Sequence, residues 1–285
     1  MSIESAPRAE KISPLRIVIA FVLCPVLGFV LFRSPMPVLA ALAGLVGVVA
    51  LREVHSLSGM AMDRFEWLAT GVSIAVGLSF YGADTPLVVA VSALGSVFLF
   101  ANALLRRSES WRDAFEWVLA AILGLVYVVL PLGLLLLLRR TERGAHLVTT
   151  IVLATWARDI GAFLTGRALE GRPIRRDLNA QKHWLGALGG LVLATLTVAG
   201  LNRLLEGPLG AEDTLAIGVL IGVFGQAGDL FESLFKRQAG ARHSGVFLPD
   251  QGGVLDSIDG LLFTAPATVV YLLVFRDVGR VLELS

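Results

Sequence analysis

Five polar side chains fall on one face of an otherwise apolar stretch late in the chain. With Asp229 as origin, Glu232, Ser233, Lys236 and Arg237 follow at i+3, i+4, i+7 and i+8. A helix turns about 100° per residue, so the five share a face, and Gln226, three residues earlier, joins them. Leu230, Phe231, Leu234 and Phe235 cover the other side. A carboxylate pair followed by a Lys-Arg pair suits a metal–phosphate complex: the acids hold a hard cation and the bases hold phosphate oxygens. The plain alternative is an amphipathic helix end with snorkelling bases. Unpaired carboxylates at a membrane boundary are expensive, and that favours the first reading.

Two further stretches carry similar chemistry. Gly252, Gly253, Asp256, Ser257 and Asp259 open the next apolar block, with the two aspartates at i and i+3 on one face of its first turn. Helix capping accounts for one of them and not for both. Arg158 and Asp159 lie deep in an earlier apolar run, where charge points to function or to a structural ion pair inside a bundle. After that run comes a basic segment with Arg167, Arg172, Arg175, Arg176 and Lys182, which reads either as a solvated loop or as a funnel for a polyanion. An acid-rich, base-rich, glycine-flanked set of this kind suits Mg2+-assisted phosphoryl or nucleotidyl transfer. Cys/His spacing for zinc is missing, as are a Walker loop and the nucleophile–base motifs of hydrolases. His55, His146, His183 and His243 are scattered and read as polar boundary residues.

The elements that must position these groups are membrane helices. The 285-residue chain is 55% hydrophobic and 16% charged, with a mean hydropathy of +0.76, too apolar for an ordinary soluble domain. A net charge of +1 gives no general basic field and argues against nucleic acid as a partner. The single cysteine, Cys24, excludes a disulfide within the chain. Apolar blocks predict an all-α polytopic membrane protein with about nine spans, at 15–33, 36–52, 66–82, 86–105, 115–138, 146–166, 183–205, 214–237 and 255–275. The first run lacks a small-residue cleavage site and reads as a retained span rather than a secretory signal. Pro131 is expected to kink the fifth block. Alternating from a cytoplasmic N-terminus puts 16 of the 24 basic residues inside and 7 outside, with Arg158 within a span. Arg139, Arg140 and Arg143 are the cluster that runs against this bias. The expected organisation is a cytoplasmic tail over 1–14, a transmembrane bundle over 15–145 and a C-terminal transmembrane catalytic region over 146–285. All of the polar groups then converge on the cytoplasmic side.

The stretch 226–259 resembles the C-terminal motif of the phosphatidate cytidylyltransferases, or CDP-diacylglycerol synthases. The matching residues are Gly228-Asp229-Leu230-Phe231-Glu232-Ser233, Lys236-Arg237, Ser244-Gly245, Leu248-Pro249, Gly252-Gly253, Asp256 and Asp259. A weaker likeness runs through Asp159, Gly161, Ala162, Phe163, Gly166, Arg167 and Gly171, then Lys182, Trp184, Gly186, Gly189 and Gly190. The chain departs from the family pattern at several positions. Leu185 stands in place of a glutamate, Arg242-His243 in place of Lys-Asp, Gln251 in place of a histidine and Ser257 in place of an arginine.

The resemblance implies condensation of CTP with phosphatidate to CDP-diacylglycerol and pyrophosphate, with Mg2+ as cofactor. It also implies a multi-pass protein of the inner membrane, active on its cytoplasmic side, and a homodimer is among its expected assemblies. Asp229 and Asp256 are expected to hold the metal, with Asp259 in support. Lys236, Arg237 and Lys182 would hold phosphates, joined by Arg242 in place of the family's lysine. Asp159 would order the metal site or the cytidine end, and Glu232, Ser233, Gly252 and Gly253 complete the expected binding set. Two other classes stay open. One is a CTP-dependent polyprenol or phytol kinase, whose alcohol substrate requires a base. The other is a non-catalytic paralogue with the same fold, favoured by the altered block at 179–186.

Overall fold

The computed structural model describes residues 25–59, 64–82, 85–105, 110–169, 171–241, 243–245 and 252–276. The expected tail over 1–14, most of the first expected span, Cys24, Arg242 and Gln251 lie outside these residues. A helical stretch, α1, covers 25–33. It is followed by α2 (Met36–Leu57), α3 (Arg64–Gly82), α4 (Thr85–Leu105), α5 (Trp111–Gly124), α6 (Leu130–Arg139), α7 (Gly144–Ala168), α8 (Trp184–Leu204), α9 (Ala211–Gln238) and α10 (Leu255–Phe275). Among the described residues, seven helices are long and apolar enough to cross a membrane, with α5 and α6 forming one rod, Trp111–Arg139. The chain is a multi-pass membrane protein. Of the nine expected spans, the one over 66–82 is present as helix α3 but falls outside the seven. It carries buried Glu66, Thr70, Ser73 and Ser79 in place of an unbroken apolar face.

Pro131 is accommodated by a wider turn. A π-helical segment, Leu125–Val129, joins α5 to α6 immediately before it. Proline offers no N–H to the carbonyl one turn back and its ring crowds that carbonyl, so a locally widened turn lets the rod continue. Within this segment the Tyr127 ring meets Phe231 of α9 edge-on at 5.0 Å and Phe263 of α10 at 6.1 Å. These contacts seat the N-terminal half of the chain against the C-terminal helices.

The C-terminal half packs through small residues. A Cβ on Gly161 of α7 would lie 2.7 Å from the Gly189 carbonyl of α8, and one on Gly190 would lie 2.8 Å from the Arg158 carbonyl of α7. Without side chains at these positions the two backbones come into direct contact, the usual way for helices to associate where lipid removes the hydrophobic drive. Helix α9 runs back along α8 and α10 along α9. Opposite ends of these helices hold different chemistry. At one end, Asp213 of α9 accepts from Tyr271 of α10 (2.8 Å) and pairs with Arg276. At the other lies the polar set singled out above.

Between α7 and α8 the basic segment is not a plain loop. Strands β1 (Pro173–Arg175) and β2 (Asn179–His183) form an antiparallel hairpin that pairs Pro173 with His183 and Arg175 with Asn179. At its tip Arg175 and Asp177 form an exposed ion pair at 2.6 Å, and Arg175 pulls the Asp177 carboxyl down to about 2. The hairpin carries Asn179 and Lys182 to the end of the bundle where α7, α9 and α10 bring their acids.

Candidate active site

Asp229 is the centre of the arrangement. It sits in the C-terminal half of α9, on the face set by the i, i+3, i+4 spacing. Arg158, fully buried, reaches it from α7 with two parallel hydrogen bonds, Nη1 to Oδ2 and Nη2 to Oδ1, both 2.8 Å. Lys182 Nζ bonds to the same Oδ2 from the hairpin. Arg158 also pairs with its neighbour Asp159. The sequence offered either a functional charge or a local ion pair here. The guanidinium in fact spans both aspartates.

The space for Arg158 is made by three helices. A Cβ on Gly225 of α9 would lie 2.8 Å from Nε, one on Gly260 of α10 2.6 Å from Nη2, and one on Gly190 of α8 3.2 Å from Cγ. The glycines leave a slot through which the guanidinium reaches Asp229. A planar, permanently charged fork matches a carboxylate in a way that a lysine would not.

Lys236 forms a second bridge. About two turns beyond Asp229, it donates to Glu232 Oε2 on its own helix (2.8 Å) and to Asp256 Oδ1 at the start of α10 (2.6 Å). The other Asp256 oxygen, Oδ2, accepts from the backbone N–H groups of Gly253 (2.8 Å) and Ser244 (3.0 Å). Gly252 makes this clasp feasible with φ +97°, which an L side chain rarely adopts. Asp259 is buried one turn along α10, where its Oδ1 accepts from the Gly260 N–H at 2.7 Å. Ser233 Oγ donates to the Asp229 carbonyl at 2.8 Å, and Asn179 Nδ2 approaches Ser233 at 3.5 Å.

These groups surround a cavity of about 470 Å³. Asp159, Lys182, Asp229, Glu232, Ser233, Lys236, Asp256 and Asp259 all line it, so most of the residues expected from the sequence are brought together. Gly252 and Gly253 stand behind Asp256 as the backbone of its clasp. Arg237 is not among the lining residues: it is about 80° round the helix from Asp229, and its Nε donates to the Leu178 carbonyl of the hairpin at 3.2 Å. Arg242 lies outside the described residues. Gln226, Asn179 and His243 line the cavity although they were not in the expected site set.

Charge in the cavity is unbalanced. Five carboxylates, Asp159, Asp229, Glu232, Asp256 and Asp259, face Lys182 and Lys236 with Arg158 behind them. Glu232 Oε1 is buried without a hydrogen-bond partner. Among the described residues no three His, Cys, Asp or Glu side chains converge closely enough to hold a metal by themselves. The donor set therefore does not suit an all-protein cage. It suits a hard cation that takes one or two carboxylates and completes its shell with water and phosphate oxygens, as Mg2+ does. For Lys182, burial opposes its charge, but the Asp229 charge and hydrogen bond outweigh it, so the ammonium is held above the usual lysine range.

The fold and this site are those of a multi-pass membrane protein of the cytidylyltransferase family, to which the chain belongs: the family model matches residues 14–275. Curated relatives agree. A phosphatidate cytidylyltransferase of Brucella suis is 35% identical over 176 residues, 61% of this chain and 63% of that protein. One of Staphylococcus aureus is 24% identical over 236 residues, 83% of this chain and 90% of that protein. The chain thus spans somewhat less than two thirds of the length of the Brucella relative it matches.

Proposed function

We propose that this protein condenses CTP with phosphatidate, giving CDP-diacylglycerol and pyrophosphate, on the cytoplasmic side of the inner membrane. The observation that carries the reading is the single cavity in which acids of α7, α9 and α10 meet the lysines of the hairpin and of α9. The names of the relatives supply the substrates. The chemistry asks for little more than alignment and charge control. A phosphatidate phosphate is anionic near neutral pH. One of its oxygens attacks the α-phosphorus of CTP, the bond from that phosphorus to the β-bridging oxygen breaks, and pyrophosphate leaves with the electron pair. No protein nucleophile and no strong base are required.

Roles follow from position. Lys182 and Lys236 point into the cavity on ion pairs that can be exchanged for phosphate oxygens. Asp229 and Asp256, with Asp259 beside them, are the carboxylates that would hold Mg2+. Bound there, the metal supplies Lewis-acid charge neutralisation to the triphosphate. Arg158 has no exposed surface, so it fixes Asp229 rather than touching substrate. The Gly253 and Ser244 N–H groups hold one Asp256 oxygen and leave the carboxylate oriented toward the cavity.

The test is formation of labelled CDP-lipid from CTP and dioleoyl phosphatidate in detergent micelles. Product is expected with Mg2+ and not with EDTA, and Asp256→Asn is expected to lower turnover by about a hundredfold or more. Wild-type turnover in that variant would remove Asp256 from the reaction. Transfer of phosphate to a polyprenol, with none to CDP-lipid, would replace the proposal by the kinase reading.

A further inference from the structure

The N-terminal half of the chain carries no motif, yet one of its side chains reaches the acid end of the bundle. Glu53 lies on α2, about two hundred positions from the start of α10, and is buried. Its carboxylate accepts three hydrogen bonds. Val254 N–H donates to Oε1 at 2.9 Å, Leu255 N–H to Oε2 at 2.7 Å, and Ser244 Oγ–H to Oε2 at 2.9 Å. All three donors are neutral groups. Two of them are amides at the beginning of α10, where helices leave N–H groups without intrahelical partners and favour negative charge.

We infer that Glu53 is a positioning residue for Asp256: an acid supplied from α2 holds Ser244, Val254 and Leu255 together and so sets the direction of the Asp256 carboxylate. The connection is short. Ser244 donates its hydroxyl to Glu53 and its backbone N–H to Asp256 Oδ2, and its Oγ also accepts from Asp256 N–H at 3.3 Å. Gly253, the other donor to Asp256 Oδ2, immediately precedes Val254, which Glu53 holds. The fit is close, because a Cβ on Gly245 or on Gly253 would overlap the Glu53 carboxylate. The missing side chains of those two glycines leave the room that the acid occupies. α10 lacks a side-chain cap from its own N-cap residue, Val254, and Glu53 supplies that function from another helix.

The inference rests on the proposed role of Asp256, and the test separates the two. Glu53→Gln keeps the shape but turns an NH2 toward one of the three donors. Glu53→Asp keeps the charge on a shorter arm, and Ser244→Ala removes the hydroxyl that joins Glu53 to the Asp256 N–H while leaving the Glu53 side chain and the backbone donor to Asp256 Oδ2 in place. Asp213→Asn is the control: it breaks an equally buried carboxylate network at the opposite end of α10. Each detergent-purified protein is titrated with Mn2+ in the presence of CTP, following free Mn2+ by EPR. Hydrogen exchange is measured for the backbone of 252–258, and half-saturating Mg2+ is measured in the CDP-lipid assay. Loss of a group that orients a metal ligand weakens metal binding about 10–100-fold. Glu53→Gln should therefore weaken Mn2+ binding by about tenfold or more and speed exchange over 252–258. Ser244→Ala should shift both in the same direction, and Glu53→Asp should recover most of the loss. Asp213→Asn should lower thermal stability with Mn2+ affinity unchanged. Wild-type Mn2+ affinity in Glu53→Gln, or an equal loss in Asp213→Asn, overturns the inference. If the wild type binds Mn2+ in a Glu53-dependent way but makes no CDP-lipid, the positioning role stands and the proposed reaction falls.

Discussion

Replacing Arg158 by methionine would leave Asp229 inside the bundle with half of its support gone. Arg158 has no exposed surface and the Asp229 side chain is 4% exposed, so water cannot substitute for the lost donors. Removing one partner of a buried ion pair costs about 3–5 kcal/mol, most of it the penalty of the charge left behind. Lys182 remains on Oδ2, so the orphaned atom is Oδ1 and the low end applies, about 3 kcal/mol. Asp159 loses the same guanidinium, but its side chain is 43% exposed and solvent takes over. At about 2–4 °C per kcal/mol for a chain of this size, the melting temperature should fall by about 6–12 °C. The assay is a thermal scan in one detergent at one scan rate, since membrane proteins unfold irreversibly and scan rate moves the midpoint. The decisive comparison is Arg158→Met with Asp229→Asn. Replacing both members of a buried pair by neutral groups costs less than removing one, so the double variant should melt above Arg158→Met alone. A single variant within about 1 °C of wild type, or a double variant showing the sum of the two single losses, would refute the claim that Asp229 is held by this pair.

Two smaller perturbations probe the same surroundings. Gly225→Ala puts a Cβ 2.8 Å from Arg158 Nε and should destabilise by about 1–3 kcal/mol in thermal scans, an effect that should shrink in an Arg158→Ala background because the clashing atoms are gone. Lys182 gives a pH signature. Its folded-state pKa is raised, so its contribution to stability is complete below the unfolded lysine value of about 10.4 and is lost only as pH climbs through the higher folded value. The difference in melting temperature between wild type and Lys182→Met should therefore be flat between about pH 6 and 9 and shrink above about pH 10.5. A difference that already shrinks near pH 8 would mean that Lys182 is not paired as described.

Much of the helical frame is written locally. An apolar block of about twenty residues has few alternatives in a bilayer, and the expected spans over 86–105 and 255–275 coincide with helices Pro86–Leu105 and Leu255–Phe275. The acids and bases of α9 were legible for the same reason, since helical periodicity alone puts Asp229, Glu232, Ser233 and Lys236 on one face. Arg237 shows the limit of that argument: it lies at the edge of the face, and the hairpin carbonyl at Leu178 draws it away from the cavity. The hairpin has only three and five residues in its strands and no alternating apolar pattern, so nothing separated it from a solvated loop. Glu53 was the hardest to find. Flanked by Arg52 and Val54 and close to His55, it reads as one more polar residue at a helix end. Its partners lie 191 to 202 positions away, and no local pattern encodes them. The one available signal was Ser244-Gly245 and Gly252-Gly253, small residues that let a backbone approach something closely, without saying what.

The charge balance of the cavity bears on why such a site persists in an apolar bundle. Five acids against two lysines and an arginine is an expensive arrangement in a membrane, and apolar packing would serve stability as well or better. Both lysines are already committed, Lys182 to Asp229 and Lys236 to Glu232 and Asp256. If they are to turn to the phosphates of a nucleotide, the carboxylates they leave need another cation, or the cavity gains the full repulsion of five acids in low dielectric. A nucleotide accompanied by a divalent ion meets both demands at once: phosphate oxygens for the lysines and positive charge for the acids. A nucleotide alone meets only the first and adds negative charge to a cavity that already has too much. On the proposed reading, the metal requirement follows from the pairing of Lys182 and Lys236 as much as from the chemistry at phosphorus.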